Sequence, residues 1–291
     1  MAKLLGVGIA TLDIINTITE YPDEDSEIRA ESQAIKRGGN ATNSLVVLSQ
    51  LGHQCYWTGT LANETDVKHI IEDLDKYQIN HQYAKTYASG KVPTSYILKN
   101  KNNGSRSIVH YRDLPELPYN TFKDIPLESF DWIHFEGRNI DQTLMMLQLV
   151  KKSSPHLTCS LEIEKQRDNI EDLIPYADII IFSKAYCLQS PYKTAEKFLR
   201  EMQLNYPDKT LILAWAENGS YAISPDNDLI HSPAEKPLSV IDTLGAGDTF
   251  NAGIINALIE NHSLEQALHY ANQLASLKIS VNGFELPVNE T

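Results

Sequence analysis

The chain has 291 residues, of which 42% are apolar and 22% charged, with a formal charge of -13. That is enough apolar material for one large α/β domain, or for a large domain with a small appendage. The acidic balance leaves no basic stripe for nucleic acid, but it does not exclude a nucleotide held by Mg²⁺, backbone amides and a few local cations.

In chain order, residues 4–9 read as a buried strand. This opening run is too short, and too soon interrupted by Asp13, for a signal peptide or a membrane span. Residues 40–51 read as a helix, with Ala41, Leu45, Leu48 and Leu51 on one side and Gly52 as its stop. Strands follow at 54–59, 132–135, 157–163, 178–182 and 210–215, with helices starting near Asp141 and running over 194–204. Phe250, Ile254 and Leu258 continue a further helix, and Ser263 with Gln266 forms a capping box for the last one. This alternation predicts the α/β class: a mostly parallel central sheet covered by helices on both faces.

Two stretches, 14–37 and 86–111, hold strand-like runs without a long helical pattern. They predict a small β-sheet appendage, either a lid over a ligand crevice or a static extension of the main sheet. The expected division is 1–13, 38–85 and 112–291 for the α/β domain, and 14–37 with 86–111 for the discontinuous β lid. Cys55, Cys159 and Cys187 match no metal or disulfide spacing and suit a reducing compartment, so a soluble cytoplasmic protein with no membrane partner is expected.

The run over 240–253 carries the most chemistry. It reads as a strand end, a turn and a helix start. Gly245, Ala246 and Gly247 let the backbone approach a ligand, and N–H groups at a helix start favour an anion. Asp248 lies in the first turn. Amide donors beside a lone carboxylate suit phosphoryl transfer to a hydroxyl, with the carboxylate taking the proton. An ordinary Gly-rich turn with a capping Asp fits these residues equally well.

Other polar residues recur at strand ends. Asp13 follows the first strand, where its carboxylate could accept two hydroxyl hydrogen bonds or satisfy local amides. Asn40 and Asn43, three apart on a helix, suit the paired hydroxyls of a sugar, although capping by Asn40 explains them as simply. Gly137–Arg138–Asn139, Glu162 to Lys165, Ser183–Lys184 and Ala216 to Gly219 fall at successive strand ends, on what should be one rim. No P-loop is present, and Gly6 and Gly8 lie within a strand rather than in a dinucleotide-binding turn.

With these residues assembled, the sequence resembles the ribokinase/PfkB family of sugar and nucleoside kinases, nearly end to end, and within it the ketohexokinase branch. The stretches that carry the resemblance are 21–29, 37–43, 135–139, 162–165, 214–219 and 242–251. It implies a ribokinase-like fold and ATP-dependent phosphorylation of a ketose at its 1-hydroxyl, most simply D-fructose to fructose 1-phosphate. It also implies that Asp248 is the base and that Gly245, Ala246 and Gly247 form the anion hole. Asp13, Gly39, Asn40 and Asn43 match sugar-binding positions, and Arg138 and Lys165 line the same cleft. Arg106 matches a lid arginine that reaches ATP phosphates, and Ala216, Glu217, Asn218 and Gly219 match a nucleotide-binding stretch.

The resemblance further implies a homodimer clasped through the β lids, with Asp25 entering the neighbour's sugar site. Mg²⁺ is implied with ATP, and a monovalent cation such as K⁺ is compatible. Many family members carry Asn-x-x-Glu where this chain has Ser183-Lys-Ala-Tyr186, so the Mg²⁺ ligands stay unassigned. The residues leave open another acceptor (tagatose, ribose, a 2-keto-3-deoxy acid or a nucleoside) or a non-catalytic sensor on the same fold.

Overall fold

The computed structural model describes residues 1–287, apart from the side chain of Asn227. The strands, in chain order, are β1 (Lys3–Val7), β2 (Thr11–Ile18), β3 (Ser32–Gly38), β4 (Gln54–Thr58), β5 (Thr60–Ala62), β6 (Lys85–Tyr87), β7 (Thr94–Asn100) and β8 (Arg106–Tyr111). They continue with β9 (Trp132–Glu136), β10 (Thr158–Ile163), β11 (Ile179–Ser183), β12 (Thr210–Ala214), β13 (Ser220–Ser224) and β14 (Asn227–Ser232). The α-helices are α1 (Asn40–Gln50), α2 (Val67–Lys76), α3 (Tyr119–Phe122), α4 (Ile140–Ser153), α5 (Lys184–Gln189), α6 (Ala195–Asn205), α7 (Ala246–Ile259) and α8 (Leu264–Ile279).

Eight strands form one sheet in the order β14-β13-β12-β11-β10-β9-β1-β4. From β12 to β4 all pairings are parallel, and only the two edge pairings, β12 with β13 and β13 with β14, are antiparallel. The central strands are apolar runs buried on both sides, as a sheet covered on both faces requires. Leu4 of β1 belongs to the core on the face covered by α1, α2, α7 and α8, with residues such as Leu45, Ile70, Phe250 and Leu268, while Leu5 and Val7 belong to the core on the opposite face, with residues such as Met146 of α4 and Phe198 of α6. The parallel strands all point one way, so their carboxyl ends make a single rim.

A second, four-stranded sheet has the order β3-β2-β7-β8. Its strand β2 begins at Thr11, so Asp13 lies inside this sheet rather than at the end of β1, which stops at Val7. The expected boundary after residue 13 therefore cuts a strand. Residues 86–87, expected in the same appendage, instead belong to β6, which pairs with β5 in a separate two-stranded sheet.

Residues 240–244 do not form the end of a strand either, because β14 stops at Ser232. Leu238, Val240 and Ile241 are exposed, and the chain is held against the end of α8 instead, the Ile241 and Asp242 amides donating to the Ile279 carbonyl and Lys278 donating to the Asp242 carbonyl. The β-branched pair at 240–241 mimics a strand locally but finds no partner strand. The Ser263/Gln266 capping box opens α8 as the sequence indicates. The three cysteines are free and buried. Among the described residues no helix is long and apolar enough to cross a membrane.

Candidate active site

The rim of the large sheet, α1, the start of α7 and the inner face of the four-stranded sheet enclose a cavity of about 930 Å³. Asp13, Gly39, Asn40, Asn43, Arg138 and Lys165 line it, residues that come from four separate segments of sequence. Arg106, Gly245, Ala246, Gly247 and Asp248 line it too. Asp25 does not: it sits at an exposed turn with φ 59°. Ala216 to Gly219 also fall outside the cavity lining, in a short turn after β12, where the exposed Glu217 pairs with Lys184 at 2.5 Å. Lys184 follows Ser183, which does line the cavity, so this turn flanks one end of it.

Helix α7 starts on Gly245 in the left-handed region, φ 79°. A Cβ there would stand 2.1 Å from the Phe284 ring, so glycine is required both for the backbone angle and for the close approach. Because nothing caps this helix, the N–H groups of Gly245, Gly247 and Asp248 have no partner among the described residues. Free amides at a helix start, opening on a cavity, make a site for an anion.

Asp248 is 8% exposed. Its Oδ2 accepts from Asn43 Nδ2 at 2.6 Å, and its backbone carbonyl accepts from the Ser44 hydroxyl at 2.9 Å. The Asn43 amide is itself fixed, since its Oδ1 accepts from Arg37 at 2.8 Å, and Arg37 also donates to Asp73 at 2.6 Å. Burial pushes the Asp248 carboxyl up, to about 7, and the charges of Glu164 and Glu136 act in the same direction, against the Asn43 hydrogen bond and Arg37. A carboxyl raised in this way is a stronger base than an ordinary aspartate and is still available in ionised form near neutral pH.

Two buried glutamates organise the neighbourhood, and neither stood out in the sequence as a site residue. Glu162 accepts from Asn40 at 3.0 Å and from Asn251 at 2.9 Å. Burial raises its carboxyl well above the ordinary range, and Asp248, Glu136 and Glu164 add to the effect. Glu136, at the end of β9, accepts the Ala41 amide at 2.7 Å and so caps α1 in place of a local side chain. It also pairs with Arg138 at 3.2 Å, while Arg138 donates to Glu116 at 2.8 Å. Gly39, with φ 112°, lets the chain pass so close to the Ile9 carbonyl that a Cβ would stand 2.1 Å from that oxygen. The resulting turn directs Asn40 and Asn43 into the cavity. The contacts of Glu162 and Glu136 join segments about a hundred residues apart, and only the strand-end position of Glu162 hinted at them.

A family model for pfkB family carbohydrate kinases matches residues 1–291. The chain is 37% identical over 291 residues to ketohexokinase of Mus musculus, covering 97% of this chain and 98% of that protein. In fold it is similar to the structure of Arabidopsis thaliana ribokinase complexed with ribose and ATP, with a TM-score of 0.82 at 22% identity over 97% of this chain and 94% of that one. Ribokinase from Cryptococcus neoformans in complex with ADP gives a TM-score of 0.80 at 18% identity, over 97% and 95% of the two chains. The protein belongs to the pfkB family of carbohydrate kinases and is an ATP-dependent sugar kinase with the ribokinase-like fold.

Proposed function

We propose that the protein transfers the γ-phosphoryl group of Mg·ATP to the 1-hydroxyl of a ketohexose, D-fructose being the preferred acceptor. One observation carries this: the buried, base-strengthened carboxylate of Asp248 stands beside three unpartnered N–H groups at the start of α7. That pairing suits in-line transfer. The amides of Gly245, Gly247 and Asp248 stabilise charge on the moving phosphoryl group while Asp248 accepts the hydroxyl proton. The transition state of such transfers is loose, so holding donor and acceptor in line matters more than basicity. The choice of a ketohexose is supported by the 37% identity to mouse ketohexokinase over nearly the whole chain.

In this scheme Asp13, Gly39, Asn40, Asn43, Arg138 and Lys165 surround the sugar. Arg106 of the four-stranded sheet closes on the phosphates, and the turn 216–219 flanks the adenosine end. The oxygen-rich wall formed by Glu162 and Glu164 fits a hard cation. Glu164, 43% exposed, is the carboxylate we assign to Mg²⁺, because Glu162 is buried and accepts from Asn40 and Asn251 on its two oxygens, whereas Glu164 opens to the cavity beside Asn40 and Lys165. No group of three metal-binding side chains converges among the described residues, so phosphate oxygens and water supply the rest of its shell. Mg²⁺ contributes neutralisation of phosphate charge.

We further propose that two copies clasp through the outer faces of their four-stranded sheets. Tyr96, Val109 and Tyr111 are exposed on this sheet, and the clasp would carry Asp25 into the partner's sugar site. The test is ADP release by the purified protein with ATP and a panel of fructose, tagatose, ribose, a 2-keto-3-deoxy acid and nucleosides. We expect fructose to give the highest kcat/KM. A higher value for another acceptor would replace the ketohexose, and sugar binding without ADP release would replace the kinase by a sensor.

A further inference from the structure

The inner face of the four-stranded sheet carries a row of polar residues that runs straight across all four strands. Lys36 of β3 is paired in register with Asp13 of β2, Asp13 with Ser95 of β7, and Ser95 with His110 of β8. All four line the cavity. The Ser95 oxygen lies 3.2 Å from His110 Nδ1, and in register Ser95 sits between His110 and Asp13. A hydroxyl has one hydrogen to give. When that hydrogen turns towards Asp13, the Ser95 oxygen accepts from His110 and Nδ1 carries the proton. In a neutral imidazole with Nδ1 protonated, Nε2 is a bare acceptor. His110 is exposed on the cavity side, and its Nε2 has no partner among the described residues.

We propose that His110 is a specificity-determining residue of the sugar site, whose Nε2 accepts the hydrogen of a sugar hydroxyl adjacent to the one held by Asp13. This rests on the sugar-kinase reading above, with Asp13 in the sugar site. A single sugar then meets two acceptors, Asp13 and His110, fixed relative to each other by strand register. A compound lacking either hydroxyl leaves one of them unsatisfied, which is how hydrogen-bonding sites reject deoxy analogues.

The neutral state is favoured by the surroundings. Burial lowers the His110 pKa, and Arg112, Arg138 and Lys165 lower it further, against the opposing charge of Asp13. Lys36 stands at the other end of the row. Protonation would turn Nε2 from acceptor into donor, so the sugar KM should rise as pH falls through the His110 pKa.

The test uses the full chain and whichever sugar it phosphorylates fastest, with His110→Leu and His110→Gln compared to wild type. One neutral hydrogen bond is worth about a 3- to 10-fold change in sugar KM. We expect H110L to show that rise with the ATP KM and kcat unchanged, and H110Q, which keeps an acceptor, to recover part of it. Wild type should also show an acid-side rise in sugar KM that H110L lacks. A panel of monodeoxy sugars should contain one compound that is penalised with wild type but not with H110L. An unchanged sugar KM in H110L, equal changes in sugar and ATP KM, or the same pH profile in both proteins would overturn the assignment. Failure of the wild type to phosphorylate any ketohexose would instead refute the proposed acceptor, leaving the His110 test to be run on the true one.

Discussion

Replacing Asn43 by Ala removes the 2.6 Å hydrogen bond that holds one oxygen of Asp248. Asp248 is 8% exposed, so water does not readily take the place of that bond. A hydrogen bond to a charged group is worth about 1.5–3 kcal/mol, and about 1.4 kcal/mol corresponds to one pKa unit. The loss acts on the ionised form alone, so the Asp248 pKa should rise by about one to two units above its native position. A base works only when deprotonated, so the acid limb of kcat/KM against pH should move upward by the same amount. That profile reports groups of the free enzyme, the state whose geometry is described above. N43A also removes a proposed sugar contact, but that loss lowers kcat/KM equally at all pH values and is separable from the shift. A uniform drop with the acid limb unmoved would refute the idea that Asn43 tunes a catalytic carboxylate.

Three other outcomes are expected. Asp248→Asn should retain sugar binding by calorimetry and lose about two to four orders of magnitude in kcat; near wild-type turnover would remove Asp248 from the role of base. Arg106→Ala should raise the ATP KM about tenfold or more while leaving the sugar KM nearly unchanged, as for the loss of a charge-assisted phosphate contact. Glu162→Gln should lower activity, because an amide can accept only one of the hydrogen bonds from Asn40 and Asn251, yet stabilise the ligand-free protein. The folded-state pKa values of Glu162 and Asp248 lie above their unfolded values, so the protein binds more protons folded than unfolded, and stability falls as pH rises through the folded pKa. The melting temperature of the wild type should therefore decline between about pH 5 and 8 more steeply than that of E162Q. Equal slopes would contradict the burial of an uncompensated carboxylate at 162.

The parts of this fold that depend on local pattern were legible in the sequence, and those that depend on distant pairing were not. The parallel strands and the helices between them follow from apolar runs and their periodicity, and the α8 capping box is written in two residues. The Gly245–Asp248 turn was legible only as a candidate anion site, because an ordinary capped turn fits the same residues; its unpartnered amides and its place on the cavity appear only in the fold. By contrast, Val240 and Ile241 look like strand residues and are not, since a strand needs a partner and β14 has already ended. Asp13 looked like the end of β1 because nothing local marks the break at Gly8 to Ala10, where the chain passes from one sheet to the other. The electrostatics of Asp248 arise from Asn43, 205 residues away, and from Glu136 and Glu164, which meet it only through the order of the strands. Arg37 was visible only as part of a Gly-Gly-Asn stretch, and its role in fixing the Asn43 amide appears only where the fold brings Asp73 and Asn43 to its guanidinium.

The most direct measurement is the regiochemistry of phosphorylation. The purified protein is incubated with Mg·ATP and D-fructose, and the product is identified by ³¹P and ¹³C NMR. Fructose 1-phosphate with stoichiometric ADP, absent when Asp248 is replaced by Asn, is the expected result. Phosphate on another hydroxyl, or ADP release that survives D248N, would contradict a mechanism in which Asp248 takes the proton from the 1-hydroxyl of a ketohexose.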